Sequence, residues 1–127
     1  GERDKEKRPI MGKIANKLCN YIYLTDDNPR NENPENIRAS IKKSILPSKM
    51  IEIPSRKLAI KKAILNSKSD EVLIIAGKGH ENTQEYIKKN KFSDKDNIRK
   101  SIILKNRSLS NDWKLNIFAL LPDFQWN

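Results

Sequence analysis

An unbroken apolar run, Val72-Leu73-Ile74-Ile75-Ala76, stops abruptly at Gly77-Lys78-Gly79. A continuous run of this length fits a β-strand covered on both faces, as strands of parallel sheets are. The glycine pair at its end marks a tight turn. Parallel strands need crossover connections, usually helical, so the run predicts helices before and after it.

The flanking sequence supplies them. Ile10, Met11, Ile14 and Leu18 recur at helical spacing and predict a helix over 9–19, with Pro9 suited to its first position. "YIYL" at 21–24 is β-prone and runs into the polar turn "TDDNPR" at 25–30. A second helix is predicted from Pro34, capped by Asn33, carrying Ile37, Ile41 and Ile45 and stopped by Pro47. "MIEI" at 50–53 reads as a short strand. Ser55 then caps a helix whose buried face holds Ala59, Ile60, Ala63 and Ile64. Ser93 with Asp96 forms a capping box that opens a last helix through Ile98, Ile102 and Ile103. Strands alternating with helices argue for βαβ units and an α/β fold: a Rossmann-like parallel sheet flanked by helices. The first residues, "GERDKEKRP", read as a strand-to-helix loop without its preceding strand, so the first strand is expected to be missing and the chain to be a fragment.

At 127 residues the chain has room for one domain. Its formal charge of +10 invites a nucleic-acid reading. The lysines, however, are dispersed over nearly every predicted helix (Lys13, Lys17, Lys42, Lys43, Lys57, Lys61, Lys62, Lys88, Lys89) and no aromatics are interleaved with them as a base-stacking groove requires. Most of this charge is read as solvated surface, and no nucleic acid is expected. No window approaches the roughly 18 apolar residues of a membrane span, and no apolar leader is visible. With Cys19 as the single cysteine, no internal disulfide can form, and a cytoplasmic setting is expected. Beyond about Lys105 the character changes. Trp113, Phe118, Phe124 and Trp126 cluster there around "LNIFALL". Residues 1–104 are read as a domain and 105–127 as a tail of unknown role: a packing helix, a partner-binding segment, or sequence foreign to the domain.

In open parallel sheets, ligands bind beyond the carboxyl ends of strands, on the loops leading into helices. Three loops qualify: "GERDKEKRP", "TDDNPR" and "AGKGHE". "GKGH" is neither a phosphate-binding Walker loop nor a dinucleotide fingerprint, and one histidine cannot make an HExxH zinc site. No metal ligands and no catalytic residues are expected in this segment. What remains points to a charged small molecule. Arg30 offers a rigid fork of donors that matches a carboxylate. Pro29 fixes the chain direction before it. Asp27 and Asn28 can bond the local backbone or a ligand amine. Glu81 suits an ammonium, while Gly77 and Gly79 allow close main-chain approach. The bland alternative is that Asp-Asn-Pro is an ordinary turn and that Arg3 and Arg30 merely pair with nearby carboxylates. A basic binding module for RNA or an acidic partner is a further alternative.

Taken together, "GERDKEKRPIMGKIA", "TDDNPR" and "AGKGHE…FSD" resemble, in order and spacing, the C-terminal domain of the Mur ligases, over roughly residues 1–104. The DNPR tetrapeptide is the specific part, and it resembles the diaminopimelate-adding type; lysine-adding relatives typically lack its arginine. The resemblance implies a cytoplasmic, monomeric, ATP- and Mg2+-dependent amide ligase of peptidoglycan synthesis. Such an enzyme joins meso-2,6-diaminopimelate to UDP-N-acetylmuramoyl-L-alanyl-D-glutamate through an acyl-phosphate that the incoming amine attacks. It further implies that ATP and Mg2+ bind mainly outside this segment, which would be inactive alone. The family's diaminopimelate pocket carries over to Arg3, Asp27, Asn28, Pro29, Arg30, Gly77 and Glu81. Glu2 and Glu6 depart from the Asp and Gly common in the first loop, and "ENTQ" replaces a more usual aromatic-containing stretch.

Overall fold

Strands β1 (Ile22–Leu24) and β2 (Met50–Glu52) run parallel, with Ile22 opposite Met50 and Leu24 opposite Glu52. They belong to a computed structural model that describes residues 5–78 and 80–108, together with the backbone of 116–119. The chain divides into two compact units, one of residues 1–59 and 85–90, the other of residues 60–84 and 91–127.

In the first unit the crossover between the two parallel strands is α2 (Pro34–Lys42) followed by a 3-10 turn at Pro47–Lys49. Asn33 caps α2 as expected, its Oδ1 accepting from the Glu35 N–H at 2.8 Å. The helix closes at Lys42, before Ile45, and Pro47 opens the 3-10 turn rather than ending α2. Helix α1 (Lys7–Leu18) begins two residues earlier than the sequence suggests, which places Pro9 at its third position. That is still within the first turn, where a missing N–H costs no helical bond. Its apolar stripe is not a core face. Ile10, Met11, Ile14 and Leu18 are all more than half exposed, and the buried residues of α1 are Arg8 and Gly12. Gly12 explains the difference: a Cβ there would lie 2.1 Å from the carbonyl oxygen of Ile41, so α1 and α2 meet backbone against backbone.

In the second unit, β3 (Val72–Ile75) pairs in parallel with β6 (Asn116–Ala119), Val72 opposite Asn116 and Ile75 opposite Ala119. The segment "LNIFALL" thus contributes a strand to the sheet. Trp113, Phe124 and Trp126 lie outside the described residues. The expectation that β3 is covered on both faces is not met. Ile75 is buried and Leu73 partly so, whereas Val72 and Ile74 are 59% and 54% exposed, the alternation of a one-sided strand. The core of this unit is Ile60, Ile64, Ile75 and Ile98, with Leu73, Phe92 and Ile102 against it. Helix α3 (Arg56–Asn66) buries Ala59, Ile60, Ala63 and Ile64, as its spacing predicts, and Ser55 Oγ accepts from the Leu58 N–H at 3.3 Å. Helix α4 (Asp94–Ser108) is capped by Ser93, whose Oγ accepts from the Asp96 N–H, also at 3.3 Å. A hairpin unforeseen in the sequence, β4 (Thr83–Glu85) and β5 (Lys89–Lys91), occupies the stretch between β3 and α4.

The nine dispersed lysines are all exposed. Among the described lysines, Lys49 is half-buried, and Lys78 and Lys105 are fully and almost fully buried. Lys105 Nζ donates to the carbonyls of Ile64 and Ser67 and to Ser67 Oγ, so it satisfies backbone acceptors left over at the end of α3. Among the described residues no helix is long and apolar enough to cross a membrane.

Candidate functional site

The turn after β1 is held from both sides. At its start, the Asp26 N–H donates to the Pro54 carbonyl at 3.3 Å, and Thr25 Oγ1 donates to the same oxygen at 3.1 Å. Asp26 itself is buried. Its Oδ1 accepts from Arg38 Nη1 at 2.5 Å, its Oδ2 from the Tyr86 hydroxyl at 2.8 Å, and its carbonyl from Arg56 Nη1 at 3.4 Å. Arg38 also donates through Nε to Glu52 Oε2 at 2.9 Å. Burial and the Asp26 carboxylate together push the Tyr86 hydroxyl up to about 12. The first acidic residue of the turn is therefore an internal anchor.

The second half of the turn carries the candidate ligand groups. Asp27 is exposed and Pro29 is fully buried. Asn28 Oδ1 accepts from the Glu85 N–H at 2.9 Å, and the Arg30 N–H donates to the Glu85 carbonyl at the same distance. The side chain of Asn28 thus substitutes for a backbone acceptor and, with Arg30, pairs with one residue of the hairpin much as a strand would. Arg30 sits at φ 55, the left-handed region that a branched or bulky residue enters only at a cost. That backbone aims its guanidinium back at Glu85, and Nε reaches Oε2 at 2.9 Å. Its two terminal nitrogens have no partner among the described residues. Glu85 Oε1 faces Lys89 Nζ at 3.3 Å, and hydrogen bonds from Lys89 and then Arg30 hold the Glu85 carboxyl below its ordinary value.

Just beyond, Glu32 takes both terminal nitrogens of Arg8, at 2.7 and 2.6 Å. The hydrogen bond from Arg8 holds the Glu32 carboxyl low, and α1 is tied to the exit of the turn.

The loop after β3 lies in the second unit. Gly77 adopts φ 124, a conformation that suits glycine alone. The Glu81 N–H closes a turn onto the Lys78 carbonyl at 3.0 Å, and Lys78 Nζ lies 3.9 Å from Glu81 Oε2. The structure therefore brings Asp27, Asn28, Pro29 and Arg30 together in one turn, and Gly77 and Glu81 together in another. Arg3 and Gly79 lie outside the described residues. Glu85, Asp26 and Lys78 were missed from sequence. Only Asp26 carried a signal, as the residue that opens the turn directly behind Thr25.

The family described as "Mur ligase, glutamate ligase domain" matches residues 1–79. The chain belongs to the Mur ligase family. Among curated relatives, the UDP-N-acetylmuramoyl-L-alanyl-D-glutamate--2,6-diaminopimelate ligase 1 of Clostridium acetobutylicum is 52% identical over 66% of this chain and 17% of its own length. The ligase of the same type from Rickettsia felis is 47% identical over 85% of the chain and 21% of its own length. A solved structure of a UDP-N-acetylmuramoyl-L-alanyl-D-glutamate--2,6-diaminopimelate ligase superposes with a TM-score of 0.77 at 41% identity, covering 83% of this chain and 22% of that one. The chain therefore spans about a fifth of the length of the relatives it matches.

Proposed function

We propose that this chain supplies the amino-acid-binding domain of a ligase that adds meso-2,6-diaminopimelate to UDP-N-acetylmuramoyl-L-alanyl-D-glutamate. The observation that carries the reading is Arg30, a half-buried guanidinium fixed through Nε to Glu85 while its two terminal nitrogens have no partner among the described residues. Two parallel donors in that geometry complement a carboxylate. Diaminopimelate differs from lysine by a carboxylate on its distal carbon, and Arg30, with Arg3, receives that group in the proposed pocket. Asp27, Asn28 and Pro29 shape the turn; the family resemblance adds Gly77 and Glu81 to the residues that bind the amino acid, with Glu81 assigned to the distal ammonium. A lysine in the same place leaves the guanidinium unpaired, and a site built to bond a missing group rejects the analogue by up to about 10⁴-fold.

ATP would supply the activation of the glutamate carboxylate. Among the described residues no three His, Cys, Asp or Glu side chains are grouped as a metal site requires. In this reading the described residues bind and orient the incoming amino acid, and the complete enzyme works in the cytoplasm on small-molecule substrates. In the complete ligase carrying this chain, Arg30→Ala raises KM for diaminopimelate by about 100-fold and leaves KM for ATP within about twofold. An equal loss for both substrates overturns the assignment.

A further inference from the structure

Glu85 belongs to none of the three loops that mark the family, yet every fixed feature of Arg30 refers to it. Its carbonyl accepts from the Arg30 N–H, its N–H donates to Asn28 Oδ1, and its carboxylate takes Arg30 Nε, each at 2.9 Å. Three bonds from one residue set the position, the backbone twist and the side-chain direction of the guanidinium. Lys89 holds the other carboxylate oxygen at 3.3 Å. The side chain is about three-quarters buried, which strengthens these bonds relative to their value in water.

We propose that Glu85 is the positioning residue for the carboxylate-recognising fork, with Lys89 as its charge-balancing partner. The inference rests on the diaminopimelate reading of Arg30. Charge decides why two residues are needed. A carboxylate beside Arg30 alone would cancel the very cation that the ligand requires. Arg30, Glu85 and Lys89 together carry a net charge of about +1 at neutral pH, from two cations and one anion. The trio thus keeps one positive charge for one incoming carboxylate while locking the plane of the guanidinium. Engaging Nε leaves Nη1 and Nη2, one of the guanidinium's bidentate donor pairs, for the ligand.

The experiment uses the complete ligase with Glu85→Ala, Glu85→Gln, Lys89→Ala and Arg30→Ala. Glu85→Ala is expected to raise KM for diaminopimelate about tenfold or more, with kcat and KM for ATP little changed, because a misplaced fork weakens binding of that substrate alone. Glu85→Gln keeps an oxygen acceptor for Nε and is expected to restore KM to within about threefold of wild type. Lys89→Ala, which makes the cluster neutral, is expected to raise the same KM by a few-fold. If Glu85→Ala leaves KM for diaminopimelate unchanged while Arg30→Ala raises it, the positioning role is wrong and the pocket reading stands. If neither moves it, the pocket reading itself fails. A parallel loss of kcat and of both KM values, not rescued by Gln, assigns Glu85 to stability and overturns the proposal.

Discussion

Arg38 and Asp26, twelve residues apart in sequence, face each other at 2.5 Å with both side chains almost wholly removed from water. Removing one member leaves a buried charge short of a partner. Asp26→Ala is expected to cost about 3 kcal/mol in urea unfolding. Asp26→Leu combined with Arg38→Met should recover part of that loss, the rest being held back by the Tyr86 hydroxyl and Glu52, which each lose a partner in the double variant. A double variant as unstable as the single one would show that the pair itself is favourable.

The pH profile of stability should have two limbs. In the folded chain Glu32 is held below its ordinary 4.5 by the Arg8 hydrogen bond, and Glu85 by hydrogen bonds from Lys89 and Arg30. Burial pushes Glu52 up, but bonds from Lys42 and Arg38 outweigh it and the net shift is downward. Unfolded, these groups take up protons near 4.5, and folded they do so only lower. Their contribution is complete above 4.5 and disappears as pH falls through the folded values. Tyr86 works at the other end. Unfolded it ionises near 10 and folded near 12, so its contribution is lost as pH rises between them. Thermal midpoints across pH 9–12 should therefore fall less in Tyr86→Phe than in wild type.

Gly12→Ala tests the contact of α1 with α2. The new methyl would lie 2.1 Å from a backbone oxygen, which has no flexible end to move aside. A loss of about 3 kcal/mol is expected, larger than most single overpacking changes. The urea midpoint reports it, and an unchanged midpoint would mean that the helices can separate at little cost.

Backbone strain and side-chain chemistry at position 30 can be separated. Alanine keeps the left-handed strain, whereas glycine relieves it. Arg30→Gly should be more stable than Arg30→Ala by about 1 kcal/mol, with both equally poor in diaminopimelate use. Equal stabilities would place position 30 outside the left-handed region in solution.

Lys105→Met should destabilise the chain by about 2 kcal/mol, because the carbonyls of Ile64 and Ser67 lose a buried donor that methionine cannot replace. Hydrogen exchange at the end of α3 would localise the effect.

Local rules made much of this fold legible. Asn33, Ser55 and Ser93 announce helix starts because a cap bonds an N–H two or three residues away. Ala59, Ile60, Ala63 and Ile64 mark a buried face by spacing alone. The α1 stripe misled because periodicity states that a helix has an apolar side, not that this side is covered. Gly12, a residue without a side chain, was the true contact. Within the site, Arg30 stood out by its motif and its resemblance. Glu85 did not, since it lies 55 residues away in a charged stretch whose hairpin has no apolar alternation to betray it.

The parallel partnership of Val72–Ile75 with Asn116–Ala119 has a consequence for how the polypeptide is made. During synthesis, everything from β3 to α4 leaves the ribosome before the strand that covers this flank of β3. A nascent chain therefore presents an open, apolar strand margin for the whole interval, the kind of surface on which growing polypeptides stick to one another. A premature stop soon after α4 would make that interval permanent.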